Sequence, residues 1–498
     1  MLLLVPAGEV FAQVWHAERE NTARNVRSES ASPVSLSYHP VADWKAAVAA
    51  WNFEKGDFHR PDRPAGKSEL DLSVQEVGTL GRLRTQGLLQ YRNTREFERN
   101  WNSLIGNDPD NPYTLGDSVQ DDATTERFDL QGALSWQFSG NWIAAGKIGL
   151  TTAKLTDTRD PRPRNDISRI PFTLGLEYRP GTGWSAGLYG GAELFFSQFS
   201  YSLEDGQTAY RYYKMKGMGD YFAFSSSESA SAPREYSGAT WRAGINMALT
   251  RSRLENFMEL GFETGSENAR DGGAAYEWKA GDYRYTRLTF LERLDIKGDL
   301  RQSVILQAGL KLMEGFWYDQ KQRTDTEHGN LSYYEIMSRY KNNAGSRLTV
   351  EVRYRVSRAQ SWGAAAGAAF NAERHTHYTD GDPRTQAWNL LEVKADAWKT
   401  LPVGRHTLDL TAGVGYVFPL GAAVYATGNS APAKDDISEV YVAPIFHYET
   451  SARLHASLRA DWVFASIGRL CPGVFVKGNL LNAETAFYGL SAGAFLRF

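Results

Sequence analysis

The sequence predicts an all-β fold, a transmembrane antiparallel β-barrel of about eighteen strands with sixteen as the alternative, and three observations lead there. The first is the stretch Thr485 to Phe498 (TAFYGLSAGAFLRF). Ala486, Tyr488, Leu490, Ala492, Ala494, Leu496 and Phe498 fall on one side of an extended chain, and Phe487, Gly489, Ser491, Gly493, Phe495 and Arg497 on the other. Alternation alone would also suit a soluble sandwich. An aromatic-bearing apolar face that runs unbroken to the last residue suits a strand that faces lipid over its full height and pairs with the first strand to abolish the sheet edge.

The second observation is charge in mid-strand. Phe128, Leu130, Leu134 and Trp136 oppose Asp129 and Gln131, and Leu348, Val350, Val352 and Tyr354 oppose Glu351, Arg353 and Arg355. Trp241, Ile245 and Met247 oppose Arg242 and Asn246, and Leu408, Leu410 and Val414 oppose Asp409 and Thr411. Charges so far from a strand end need water or each other, so the sheet is wet inside and apolar outside. The third is punctuation. Short connections near 77–81, 139–141, 180–183, 250–253, 297–300, 357–361, 401–404 and 466–473 alternate with long ones near 59–67, 93–125, 157–168, 203–235, 267–282, 318–344, 376–384, 421–437 and 482–485. That is the rhythm of short periplasmic turns and long extracellular loops. Trp136, Trp142, Trp184, Trp362, Trp398 and Trp462 all sit by short turns, as an aromatic belt at the inner interface requires.

Composition agrees with this. The 46 Gly and 13% aromatic residues suit many short strands, and no apolar run has the length of a transmembrane helix. A mean hydropathy of −0.45 follows when lumen-facing residues dilute lipid-facing ones. The 55 basic and 58 acidic residues are interspersed, which leaves no nucleic-acid surface. Cys471 is the only cysteine and can form neither an intramolecular disulfide nor a thiolate metal cluster.

In chain order, residues 1–12 (MLLLVPAGEVFA) read as a residual signal peptide ending in Val10-Phe11-Ala12. Residues 13–40 are polar and aperiodic, an N-terminal periplasmic or lumenal segment, and 41–498 form the barrel. Residues 42–58 are strand-like but shift parity near Ala49. Residues 442–464 hold one parity so long that one tall strand is expected, with a hairpin at Thr450-Ser451 as the alternative. On that reading His447, Glu449, His455, Arg459 and Asp461 line the lumen wall. Inward positions carry both signs in near balance, for example Glu351 with Arg353 and Arg459 with Asp461. A charge-selective porin would show one sign at its constriction; mixed signs predict a lumen partly filled by paired side chains, with the N-terminal segment or an inward loop.

Four stretches bear on chemistry. His375 and His377, the one close histidine pair, share a face near Glu373, Asp380 and Asp382 and could hold a divalent metal at a loop base. An ordinary polar loop has the same composition, so no metal or cofactor is required. Asn107 to Asp117 (NDPDNPYTLGD) begins like a calcium loop but has Pro112 and Tyr113 where a ligand and the turn glycine belong. Arg159, Arg162 and Arg164 with Asp157, Asp160 and Asp166 suggest a self-paired outer loop rather than an anion site. The aromatic stretch holding Tyr210, Tyr212, Tyr213, Tyr221 and Phe222 could stack on a sugar or a partner, or fold into the barrel mouth.

The ending LSAGAFLRF, the early stretch WNFEKGDFHRPD, the loop NWNSLIGNDPDNPYTLGDS and the strand end TTAKLTDTRDPRPRND together resemble a family of uncharacterised outer-membrane barrels of the Bacteroidota. The resemblance implies a location in the outer-membrane lipid bilayer and a role as accessory of TonB-dependent uptake or another envelope system, beside other outer-membrane or periplasmic proteins. It supplies no catalytic residue. The expectation is a non-enzymatic barrel for ligand uptake or transport. The competing class is an outer-membrane hydrolase of phospholipase or protease type, which needs a nucleophile or aspartate and a histidine converging at one rim.

Overall fold

The computed structural model describes residues 25–41, 43–181, 183–205, 208, 210–225, 233–272, 277–327, 331–358, 361–379, 382–426 and 437–498. The strands in chain order are β1 (Trp44–Gly56), β2 (Gly66–Leu80), β3 (Leu83–Arg99), β4 (Leu115–Asp117), β5 (Asp121–Trp136), β6 (Trp142–Asp157), β7 (Pro163–Tyr178) and β8 (Trp184–Tyr201). They continue with β9 (Arg211–Gly217), β10 (Asp220–Ser225), β11 (Arg234–Thr250), β12 (Leu254–Asp271), β13 (Trp278–Ile296), β14 (Arg301–Asp325) and β15 (Leu331–Arg358). The last are β16 (Trp362–His377), β17 (Arg384–Val403), β18 (His406–Pro419), β19 (Val424–Ala426), β20 (Arg453–Val463), β21 (Cys471–Asn482) and β22 (Ala486–Arg497). Eighteen are staves of one closed antiparallel barrel, in which β22 pairs with β1 and leaves no edge. The short β19 takes over the pairing with β17 beyond the end of β18. The strands β10, β9 and β4 make a separate three-stranded sheet in the mouth.

The faces divide as the alternation requires. Ile245 and Leu174 are 61% and 63% exposed on the outer wall, while Asp129 and Asp409 are 5% and 4% exposed on the inner one. Five of the six tryptophans by the short turns face outward. Trp398 does not: even positions of β17 point inward, and the Arg355 guanidinium lies 4.7 Å over its ring.

The strand-like stretch whose parity shifts near Ala49 is β1, in which Trp44, Ala46, Val48 and Ala50 point inward and are buried against Leu36, Val77, Phe475 and Phe495. The apolar set moves from lumen to lipid face because the N-terminal segment covers the lower part of the inner wall. The expected loop over 318–344 is mostly strand, since β14 and β15 are 25 and 28 residues long. Beyond the bilayer both faces of this hairpin meet water, so pairing persists (Arg323 opposite Tyr333) without alternation. Residues 442–464 are neither one tall strand nor a hairpin. A π-helical turn (Ser438–Val442) leads into helix α1 (Ala443–Thr450), and β20 starts only at Arg453. Pro444 in the first helical turn costs no backbone hydrogen bond there. The Thr450 and Ser451 hydroxyls donate to the carbonyls of Phe446 and His447 at 2.8 and 2.7 Å and close the other end.

Residues 25–41 pack against the inner wall of the barrel, where Arg27 and Tyr38 reach Glu177 and the Ala31 N–H reaches Glu259. Residues 1–24, including the signal-like stretch, lie outside the described residues.

Candidate functional site: a lumen closed at two levels

The lower closure is built on a 3-10 helix (Pro33–Tyr38). Ser32 caps it, its side chain accepting from the Val34 N–H, and Pro33 fixes the first turn. Its apolar contacts are small patches: Val34 on Ile143 and Ala145, Leu36 on Trp44 and Val77, and Val26 on Phe257 and Ile305. The rest is polar. Arg27 donates to Ser185 at 2.6 Å and to Glu177 at 3.4 Å, with its guanidinium 3.7 Å over the Tyr38 ring. Tyr38 also donates to Glu177. The Ala31 N–H donates to Glu259 at 2.9 Å, as does the Ser30 hydroxyl. Arg293 donates to Ser28 at 2.8 Å, Gln307 donates to Glu29, and Arg353 lies 3.6 Å from Glu29.

The upper closure is the loop between β3 and β5, which folds down into the mouth. Asx turns shape its tip: the Asp110 N–H donates to Asp108, and the Tyr113 N–H to Asn111, both at 3.0 Å. Lys311 then donates to Asp108 at 2.8 Å and Asp110 at 2.7 Å, and Arg347 donates to Asp110 at 2.6 Å and Glu373 at 2.7 Å. Burial alone would raise the Asp110 carboxyl, but Arg347 and Lys311 outweigh it and hold its pKa at about 2. Glu267 fixes the other flank, accepting from Asn111 at 2.8 Å and from the Asp108 N–H at 2.9 Å. Beside the loop, Tyr212 of β9 packs into a core with Phe199, Tyr236 and Tyr283. Arg234, 1% exposed, is clamped on Asp271 at 2.6 Å, and Lys214 reaches the same carboxylate at 2.8 Å.

Both closures hold on to the same staves. Strand β12 gives Glu259 to the lower and Glu267 to the upper, and β15 gives Arg353 and Arg347. On β14 the two contacts are Gln307 and Lys311, four positions and therefore about 13 Å apart along the strand. Elsewhere the inner wall pairs with itself, as in Arg293 with Asp295 at 2.8 Å and Arg459 with Asp461 at 3.0 Å.

Between the upper closure and the wall lies a cavity of about 190 Å³. Its wall is β13 to β17 and its roof the Gly217–Gly219 turn with Tyr441, Val442, Ile445 and Glu449. Arg60 ties roof to rim, donating to both Asp62 and Glu449 at 2.8 Å.

His375 and His377 do share the inner face, but each serves a different contact. His375 Nε2 lies 2.6 Å from Glu373, while His377 sits between Asn343 at 3.0 Å and Asp220 at 3.2 Å. Asp380 lies outside the described residues. His447, expected in the lumen wall, stands on α1 in solvent, 3.0 Å from Glu484, and Glu449 pairs with Arg60 rather than across the lumen. The arginine-rich outer loop is self-paired, with Arg162 on Asp160 at 3.1 Å and Arg164 on Asp166 at 2.7 Å. The calcium-like loop carries Lys311 and Arg347 on its carboxylates. The aromatic stretch folds into the mouth through Tyr212 and Tyr213, with Phe222 60% exposed. The partners of the rim histidines His59, His375, His377 and His447 are a carbonyl, carboxylates and an amide rather than a serine hydroxyl. Gln386, Trp388 and Arg27 carried no signal as site residues: each is an isolated polar or aromatic position whose partners are distant in sequence.

No curated protein matches this chain. Among solved structures it is similar to the ferric preacinetobactin receptor BauA from Acinetobacter baumannii, at 10% identity over 91% of this chain and 80% of that one, with a TM-score of 0.38. It is similar to the ferric yersiniabactin uptake receptor FyuA from Yersinia pestis at 9% identity, over 92% and 80% of the two chains, with a TM-score of 0.41. The RagAB peptide importer in its closed-closed state is similar at 7% identity, over 92% and 87%, also with a TM-score of 0.41. Residues 33–494 match a family of unknown function (DUF6850), and the chain belongs to that family.

Proposed function

We propose that this is a gated uptake barrel of the outer membrane, of the Bacteroidota kind, that admits a ligand at its mouth and passes it only when the N-terminal segment moves. The observation that carries this reading is the double closure on β12, β14 and β15 by hydrogen-bonded and ionic contacts. Such contacts exchange for water at a net cost of about 0.5–1.5 kcal/mol each, so a closure made of them can open and close again. A filled lumen with both signs of charge argues against free diffusion. Among the described residues, the partners of His59, His375, His377 and His447 include no serine hydroxyl, which gives the phospholipase form of the hydrolase alternative no support, while the protease form keeps one candidate pair, His377 with Asp220 at 3.2 Å. Movement of the segment calls for a periplasmic partner or an envelope complex, and that accessory role belongs to the proposal.

Purified protein in a planar bilayer tests it. The unmodified barrel is expected to give no large steady openings. Large, weakly selective openings comparable to a general porin overturn the gated reading.

A further inference from the structure

We infer that the cavity under the mouth is a binding site for an uncharged, hydroxyl-rich ring of single-sugar size. The inference deepens the uptake reading and rests on it. Volume sets the scale: about 190 Å³ is the space of about six waters. Charge sets the class. The inward carboxylates lining the cavity are Asp62, Asp110, Glu373 and Glu449, against the guanidiniums of Arg60 and Arg347, while the Glu314 side chain lies on the exposed face of β14 against Lys341 at 2.6 Å. Both guanidiniums are fully engaged: Arg60 donates through all three nitrogens to Asp62 and Glu449, and Arg347 through all three to Asp110 and Glu373. An anion would meet an excess of carboxylates, with both lining guanidiniums already taken. An ammonium group has donors alone and offers no lone pair to an unmade donor of the lining.

What the cavity offers is neutral. Gln386, 7% exposed, lines it, and its Nε2 has no acceptor among the described residues. A buried amide donor left unmade costs about 1–3 kcal/mol, which a ligand oxygen would recover. Asp62 and Glu449 accept from Arg60 and, with about four lone-pair sites to a carboxylate, can take a further donor. A hydroxyl group supplies both, accepting from the amide and donating to a carboxylate. Two positions along β17, and so on the same face, the Trp388 indole gives the cavity an apolar side between His375 at 5.8 Å and Phe446 at 5.9 Å. One flat apolar wall facing polar groups with donors and acceptors matches a sugar ring, with its C–H face and its hydroxyl rim.

The test is isothermal titration calorimetry on the full-length barrel in a detergent without a sugar headgroup. The probes are methyl glucoside, methyl galactoside, methyl mannoside, glucuronate, glucosamine and cyclohexanol. At least one neutral glycoside is expected to bind in the millimolar range or tighter, with glucuronate, glucosamine and cyclohexanol at least tenfold weaker. Gln386→Leu should weaken the bound glycoside about three- to tenfold. Heat-modifiable mobility shows that each variant is folded, and Gln386→Glu is the second variant should Gln386→Leu misfold. It removes the amide donor, and the same weakening is expected. Absence of binding by every neutral glycoside, tighter binding of a charged probe, or an unchanged constant in the folded variants overturns the assignment. Conductance reads the gating separately: a freely conducting barrel that binds the glycoside removes the gate and keeps the site, and a sealed barrel that binds none does the reverse.

Discussion

Arg234 and Arg293 are among the largest fully buried side chains, and each is held by a carboxylate, Asp271 and Asp295. A guanidinium stripped of its partner in such a place costs about 3–5 kcal/mol. Asp271→Ala is therefore expected to loosen the mouth by that amount, read as faster hydrogen exchange in β9, which Lys214 ties to the same carboxylate. Unchanged protection there would contradict the assignment. Pairs two apart on one strand, such as Glu351 with Arg353 and Arg459 with Asp461, were legible in the sequence because such positions share a face. Arg27 with Glu177 was not, since 150 residues separate the two and only barrel closure brings them together.

Among the elements, the inward loop depends on room made by glycine. Gly281 has φ of +129°, and a methyl there would lie 2.5 Å from the Tyr113 ring, which is 0% exposed. Gly281→Ala should undock the loop and expose it to protease in the folded barrel; unaltered digestion would speak against that. The Asp110 latch gives a pH window. A carboxyl whose pKa falls on folding contributes stability that is complete above the unfolded value of about 3.9 and disappears as pH drops through about 2. The loop is expected to stay docked at about pH 4 and to release near pH 2, followed by the fluorescence of Trp317, whose ring is 6.1 Å from Tyr113. Release already near pH 5 would assign the latch to other groups. Staves and turns were legible because water on one face and lipid on the other force a period of two. Helix α1 was not: over eight residues, periods of 2 and 3.6 both fit APIFHYET, and Val442, Ile445 and Glu449 reach the cavity with helical spacing. The tall β14–β15 hairpin escaped for the opposite reason, having water on both faces.

At the scale of the molecule, eighteen staves enclose a lumen that the chain fills with its own residues, from below with 25–41 and from above with the loop before β5. The mixed signs along the inner faces pointed to this filling, while the parity shift in β1 marked where the lower part lies. The central claim is that the lower segment is the gate. It is tested most directly by the single-channel conductance of a barrel whose upper loop is undocked by Gly281→Ala, whose lower contacts are weakened by Glu177→Ala and Glu259→Ala, and whose Ser37 and Ser135, in hydroxyl contact, are both replaced by cysteine. Cys471 is changed to Ser so that only this pair can form a disulfide. Openings are expected under reducing conditions and none after oxidation, with reversal on adding reductant. Equal conductance in the two states, with the disulfide verified as formed, would contradict the account.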